Sequence, residues 1–348
     1  MAAVRSNQHT SRLFRWAGQN ANEFANNKLD ILRDIDQLPS ALRALSSDDF
    51  VRHIVEFAFG TPTVKTPFIW DIVSDEIVSR DARSLGSDGI GRSLSALAKV
   101  NYVNNTSVIK SLRDKSLVVI ENAALADYGV YLKAFTRLKF HPGDDFLDAV
   151  ARPIMMGEKV GGDTQAICDV LYAFADFRPH DRDIFAQLAS ILTPSVKHFN
   201  SRDFSTVLSV YAKVKVKDNH LLSAVSKSLP SALQNFEPIE LGSVCHGLAL
   251  LGVRDATLTA QLSVHVQKCI HCMPAASLAL VANAFDTFNR RKRDGIVDKS
   301  LFSCLAERAS KVLHQFPQDP RELSTVLHCL VEANQANKNF SNMAWYKR

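Results

Sequence analysis

With 348 residues, 46 % of them hydrophobic, the chain has ample apolar content for a continuous core, and its length alone would allow two or three globular domains. A formal net charge of +5 is only mildly basic, so partners must be sought in where the charge sits rather than in its sum. Six unevenly placed cysteines do not make a secreted disulfide framework and point to a reducing compartment, and no apolar run approaches the roughly 18 residues of a membrane-spanning helix, so no membrane insertion is expected.

Residues 1–22 carry Arg5, Arg12 and Arg15 among Ser, Thr, Asn and Gln, with no acidic residue. That is the composition of a mitochondrial transit peptide, the other reading being a basic arm. Residues 23–45 read as one or two helices capping the first unit of a repeat array, whose ends require such atypical elements.

From Ser46 onward one theme recurs. An anchor placed on the residue that closes each apolar run falls at Ala58, Ala98, Thr136, Ala175, Ala212, Ala249, Asp286 and Val331, in steps of 40, 38, 39, 37, 37, 37 and 45. A period in this range marks stacked supersecondary units. Each anchor run is followed by a polar loop and a second apolar-periodic segment, such as RDIFAQLASIL (182–192), NHLLSAVSKSL (219–229), TLTAQLSVHVQKCI (257–270) and KSLFSCLAERASKVL (299–313). The expected fold class is therefore all-α, a right-handed α-solenoid of about eight two-helix repeats of 37–40 residues. A basic arm and capping helix would occupy 1–45 and the array 46–348, with units near 46–85, 86–123, 124–160, 161–199, 200–236, 237–273, 274–316 and 317–348. Ser201 before Asp203, Pro238 before Glu240 and Pro320 before Glu322 mark helix starts.

The columns of this frame predict one buried stripe per first helix, at eight, four and one residues before the anchor. Seven before it the column is small (Gly91, Gly129, Cys168, Ser205, Gly242, Ala279, Ser324), which predicts close contact with the neighbouring helix. Positions three before and one after the anchor point away from the stripe and would line a concave face. Those and adjacent positions carry Arg92, Ser95, Lys99, Lys133, Arg137, Lys139, Tyr172, Arg178, Ser209, Lys213, Lys215, His246 and Asn283. Cations interleaved with an aromatic suit single-stranded RNA, neutralising phosphates and stacking bases. After Phe288 the segment NRRKRDG places Arg290, Arg291, Lys292 and Arg293 on an extended inter-helix loop, either solvated or touching RNA.

Catalytic and cofactor signatures are missing. The GSDGIG glycines follow no strand and lack the Lys-Ser/Thr of a phosphate loop, so they read as a turn at a helix start. Cys269 and Cys272 have CxxC spacing near His265 and Cys245, but no second ligand pair follows, and core packing is the reading. His246 and His328 have no acidic partner in sequence. No cofactor or metal is expected, and the protein is read as non-enzymatic.

The pattern Phe-x-x-x-Glu/Asp-Leu/Phe, followed by hydrophobics at helical spacing and a closing Ala, stands at Phe199–Val214 and Phe236–Leu251. It resembles the repeats of organellar helical-repeat RNA-binding proteins, the octotricopeptide and heptatricopeptide families and the FAST-kinase-like proteins with RAP domains. The resemblance implies a mitochondrial matrix or plastid protein in RNA processing, RNA stability or ribosome assembly. After the array nothing up to Arg348 corresponds to a RAP domain, so catalysis by analogy is not expected. The expected function is a structural or assembly component of a mitochondrial ribonucleoprotein, a mitoribosome or an RNA-processing complex, whose partners are RNA and other proteins of the assembly. The alternative is an armadillo- or HEAT-like protein scaffold that does not bind RNA.

Overall fold

The computed structural model describes residues 38–60, 67–103, 105–158, 163–291, 299–316 and 321–332. Among them every regular element is helical, and the chain forms helical repeats of the solenoid class. It divides into two compact units, residues 1–177 and 178–348.

In the first unit a helical stretch at 38–43 precedes α1 (Ser47–Phe59), α2 (Pro67–Ser79), α3 (Ala82–Lys99), α4 (Thr106–Val119), α5 (Leu125–Arg137), α6 (Asp144–Met155) and α7 (Thr164–Phe177). Helices α1, α3, α5 and α7 pack side by side as one layer, and α2, α4 and α6 form a second, looser one. The second unit holds α8 (Arg182–Leu192), α9 (Ser201–Val214), α10 (Asn219–Ala232), α11 (Pro238–Leu250), α12 (Ala256–Cys269), α13 (Ala275–Arg291), α14 (Lys299–Lys311) and α15 (Arg321–Glu332). There α9, α11, α13 and α15 make the close layer and α8, α10, α12 and α14 the looser one.

The predicted stripe is the core. Phe50, Ile90, Tyr128, Ile167, Phe204, Leu241, Leu278 and Leu323, eight residues before each anchor, are all buried. So is the column one residue before it, from Phe57 to Leu330. The column at four before departs only at Leu327, which is half-buried. These three positions fall on one side of a 3.6-residue helix, so each first helix buries one face in the space between the layers.

Two local devices recur with the repeat. Three residues after the anchor, Asn101, Lys139, Lys215 and Gly252 stand in the left-handed region, with φ of 56°, 53°, 57° and 72°. The next residue's N–H then reaches back to the carbonyl one before the anchor: Tyr102 to Leu97, Phe140 to Phe135, Val216 to Tyr211, and Val253 to Leu248, at 3.0–3.2 Å. This left-handed closure satisfies carbonyls that the helix end leaves without a partner, and it turns the chain sharply into the loop before the second helix. Several second helices end in a short 3₁₀ turn followed by a buried residue, among them Phe199, Phe236, Met273 and Phe316. The phenylalanine that opens the repeat motif is thus a wedge between layers; the Phe199 and Phe204 rings meet at 5.3 Å.

Helix starts match the sequence signals with one shift. Asn200, not Ser201, caps α9: it accepts from the Asp203 N–H at 2.9 Å, and Asp203 accepts from the Asn200 N–H at 3.0 Å. Pro238 opens α11 with Glu240 accepting from the Glu237 N–H at 3.1 Å. Pro320 lies outside the described residues. The GSDGIG turn is Gly86, whose φ of 66° interrupts α3.

The small column lets first helices approach. A methyl group on Gly242 would stand 3.3 Å from the Ser277 Cα. A closer approach between first helices is at a position the column does not include: on Gly247 it would lie 2.9 Å from Leu208 Cβ and 3.0 Å from its carbonyl carbon and oxygen. Alanine normally favours a helix over glycine by about 1 kcal/mol, but pushing backbone apart here costs about 1–3 kcal/mol. Gly247→Ala is therefore expected to lower the urea midpoint of the protein, and a midpoint that stays or rises would show that α9 and α11 part freely.

Arginines also tie a repeat to the segment before it. Arg80 Nη2 donates to the carbonyls of Leu42 and Leu45 at 2.8 and 3.1 Å. Arg308 Nε and Nη2 both donate to the Met273 carbonyl, at 3.1 and 3.0 Å. The two arginines stand at the same repeat position, 22 residues after Ala58 and Asp286.

Candidate nucleic-acid interface

Because the stripe occupies one side of each first helix, the positions three before and one after the anchor emerge on the other. In the first unit they bring Ser95 and Lys99 of α3, Lys133 and Arg137 of α5, and Tyr172 of α7 onto the outer face of the close layer. Lys99, Arg137 and Lys139 are exposed. The Lys99 ammonium lies 5.7 Å from the centroid of the Phe59 ring. Phe59 is 50 % exposed and stands one residue after its own anchor, in the register of Lys99 and Arg137. The sequence-derived face omits it because that face begins only at the second repeat. Tyr172 is 49 % exposed, so its ring can serve as a stacking platform.

Two cations in this unit are already partnered. Lys133, expected to be exposed, is half-buried, with Nζ 2.9 and 3.1 Å from the carboxylate oxygens of Asp169 on the next first helix. Its charge is offset locally, and it joins α5 to α7. Arg92 is exposed and pairs with Asp88 one turn earlier at 2.9 Å.

In the second unit Ser209, Lys213 and Lys215 are exposed around the end of α9, and Arg178, His246 and Asn283 are half-buried. Burial pushes the His246 imidazole below its usual range, so near neutral pH it is a hydrogen-bonding ring rather than a cation. The expected basic loop is corrected in part: Arg290 and Arg291 are the last residues of helix α13, while Lys292 and Arg293 lie outside the described residues. The helical period simply continues past Phe288. Arg290 pairs with Asp286 at 3.0 Å and meets His328 Nε2 at 2.9 Å.

Lys99 and Arg137 close α3 and α5, and Lys213 stands in the last turn of α9; Lys139 and Lys215 occupy the left-handed position just beyond. A non-glycine residue there costs about 1 kcal/mol or more. The equivalent position after α11 carries Gly252, so lysine is not what the turn itself demands.

The fully buried Cys245 thiol is pushed up to about 12, by burial and then by nearby Cys269, so it is a thiol and not a nucleophilic thiolate near pH 7. Cys269 ends α12 and donates to the His265 carbonyl at 3.3 Å, whereas Cys272 sits exposed in the following 3₁₀ turn. Among the described residues no three His, Cys, Asp or Glu side chains are grouped to hold a metal ion, and no helix is long and apolar enough to cross a membrane.

The family model described as RNA-editing substrate-binding complex 6 protein matches residues 78–341. The match spans parts of both units. No curated protein matches the chain.

Proposed function

The chain belongs to the RNA-editing substrate-binding complex 6 family, and from that premise we propose that it is a non-catalytic, RNA-binding component of an RNA-editing assembly in the mitochondrion. The observation that carries RNA binding is the register of exposed cations: Lys99, Arg137 and Lys139 in the first unit, and Lys213 and Lys215 in the second, all at the ends of first helices. A spacing set by the repeat suits a polymer with evenly spaced phosphates, with Phe59 and Tyr172 available to stack on bases. The family description favours RNA processing over the ribosome. The basic, acid-free residues 1–22 agree with mitochondrial import, and partner proteins of the complex would dock on surfaces outside the cationic face.

The direct test is ultraviolet crosslinking of the native protein in cells, with sequencing of the recovered RNA. Transcripts that undergo editing are the expected yield. Predominantly ribosomal RNA would move the protein to the mitoribosome, and no RNA above background would make it a protein-only scaffold.

A further inference from the structure

Asp286 is the one charged residue among the eight anchors, whose other members are alanine, threonine or valine. It is 9 % exposed, and a buried carboxylate must be paired to persist. Arg290, one turn later, supplies that pairing at 3.0 Å. The same Nη2 meets His328 Nε2 on α15 at 2.9 Å, so the guanidinium is the donor and the imidazole nitrogen accepts. The buried acid thus fixes a half-exposed guanidinium at a set place between two first helices.

Around this cation the two helices leave an open groove of about 570 Å³. Asn283, Asp286, Thr287 and Arg290 form one wall, and Ser324 and His328 stand on the other. That volume lies within the range of about 300–1,000 Å³ typical of small-molecule sites. Thr287 Oγ1 donates to the Asn283 main-chain carbonyl at 2.8 Å, and the Asn283 side-chain amide carries an adjacent donor and acceptor on the lining residue. The groove thus offers a guanidinium and an amide edge from one wall and an imidazole and a hydroxyl from the other, groups that complement a phosphate joined to a nucleobase.

We propose that the groove between α13 and α15 seats one nucleotide of bound RNA, its phosphate on Arg290 and His328 and its base edge on Asn283. This rests on the RNA-binding reading above and assigns it a defined subsite. Asp286 is a positioning residue, acting through Arg290.

The test uses the full chain and ten-nucleotide homopolymers of the four ribonucleotides, with photocrosslinking of a 4-thiouridine oligomer mapped by mass spectrometry. Adducts are expected on residues of α13 and α15. Arg290→Gln should weaken binding about five- to tenfold and reduce the slope of log affinity against log salt by about 0.7, one phosphate contact on a single strand. Arg290→Lys should keep the slope. Because Arg290→Gln strips the buried Asp286 of its partner and could loosen α13, Asn283→Ala serves as an independent variant. It should change the ranking of the four homopolymers without changing the slope. Adducts confined to other helices, together with an unchanged ranking in Asn283→Ala and an unchanged slope in Arg290→Gln, overturn the seat while RNA binding stands. Failure of the wild-type chain to bind any oligomer overturns both.

Discussion

Replacing Arg80 by alanine is expected to destabilise the start of the first unit by about 3–5 kcal/mol, because it strips a buried acid of its partner. Arg80 and Glu76 have side chains only 9 % and 8 % exposed and pair at 2.8 Å, and Arg43, which approaches Glu76 at 3.8 Å, is itself 76 % exposed. The same guanidinium donates to the Leu42 and Leu45 carbonyls and lies 4.2 Å from the centroid of the Phe50 ring. Its loss takes the partner from a buried charge, from the Leu45 carbonyl and from one aromatic face, while the Leu42 carbonyl keeps only the Leu45 N–H at 3.1 Å; all of them belong to the junction between residues 38–45 and the first hairpin. The consequence should be local. Hydrogen exchange over residues 38–59 is expected to accelerate about a hundredfold or more, since each 1.4 kcal/mol is a factor of ten, while α13 keeps its protection. Arg80→Lys should recover part of the loss, as an ammonium keeps the charge without the planar fork. Equal exchange in wild type and Arg80→Ala would mean that the junction is held by its apolar contacts alone, Leu38, Leu42 and Leu45.

The second large effect concerns RNA. Reversing Lys99, Arg137 and Lys139 together to glutamate should weaken binding to single-stranded RNA on the order of a hundredfold at 50 mM salt and flatten the salt slope by about 2, three contacts at about 0.7 each. The choice of residues comes from the geometry. Lys133 is left out because a glutamate there would face Asp169 in a half-buried site and test stability rather than binding. The three reversed side chains are exposed, so the fold should survive, as circular dichroism can verify. Lys110→Glu, an exposed change on α4 in the looser layer, is the matched control for Arg137→Glu alone. Equal losses from these two single variants would reduce the cationic face to a general effect of net charge.

Both effects depend on the same architectural rule. Stacking places equivalent residues of successive repeats side by side, so a column in sequence becomes a line in space within each unit. Cations in a column therefore make a track, and an arginine at a fixed repeat position makes a recurring tie, as Arg80 and Arg308 do. A single substitution in a column is then a local event, because each repeat contacts mainly its neighbours.

Periodicity by itself determined the helical fold class, the helix pairs and the buried columns, because burial on a helix obeys a 3.6-residue period that can be read without coordinates. It also placed Lys99, Arg137 and Lys213 on the exposed side. What periodicity cannot express is which residue of a neighbouring repeat a side chain meets. Lys133 and Asp169 are 36 residues apart, Arg80 and Leu42 are 38 apart, and Gly247 touches Leu208 from a position outside the small column. Each of those contacts is set by the axial shift between stacked helices, a tertiary quantity. The end of α13 was likewise obscured by its composition: four consecutive basic residues read as loop, whereas the buried Asp286 holds Arg290 on the helix and directs it across the groove to His328. The Asp286–Arg290 pair is local, one turn apart on α13; tertiary packing decided the burial of Asp286 that makes the pair necessary and the contact of Arg290 with His328 on α15.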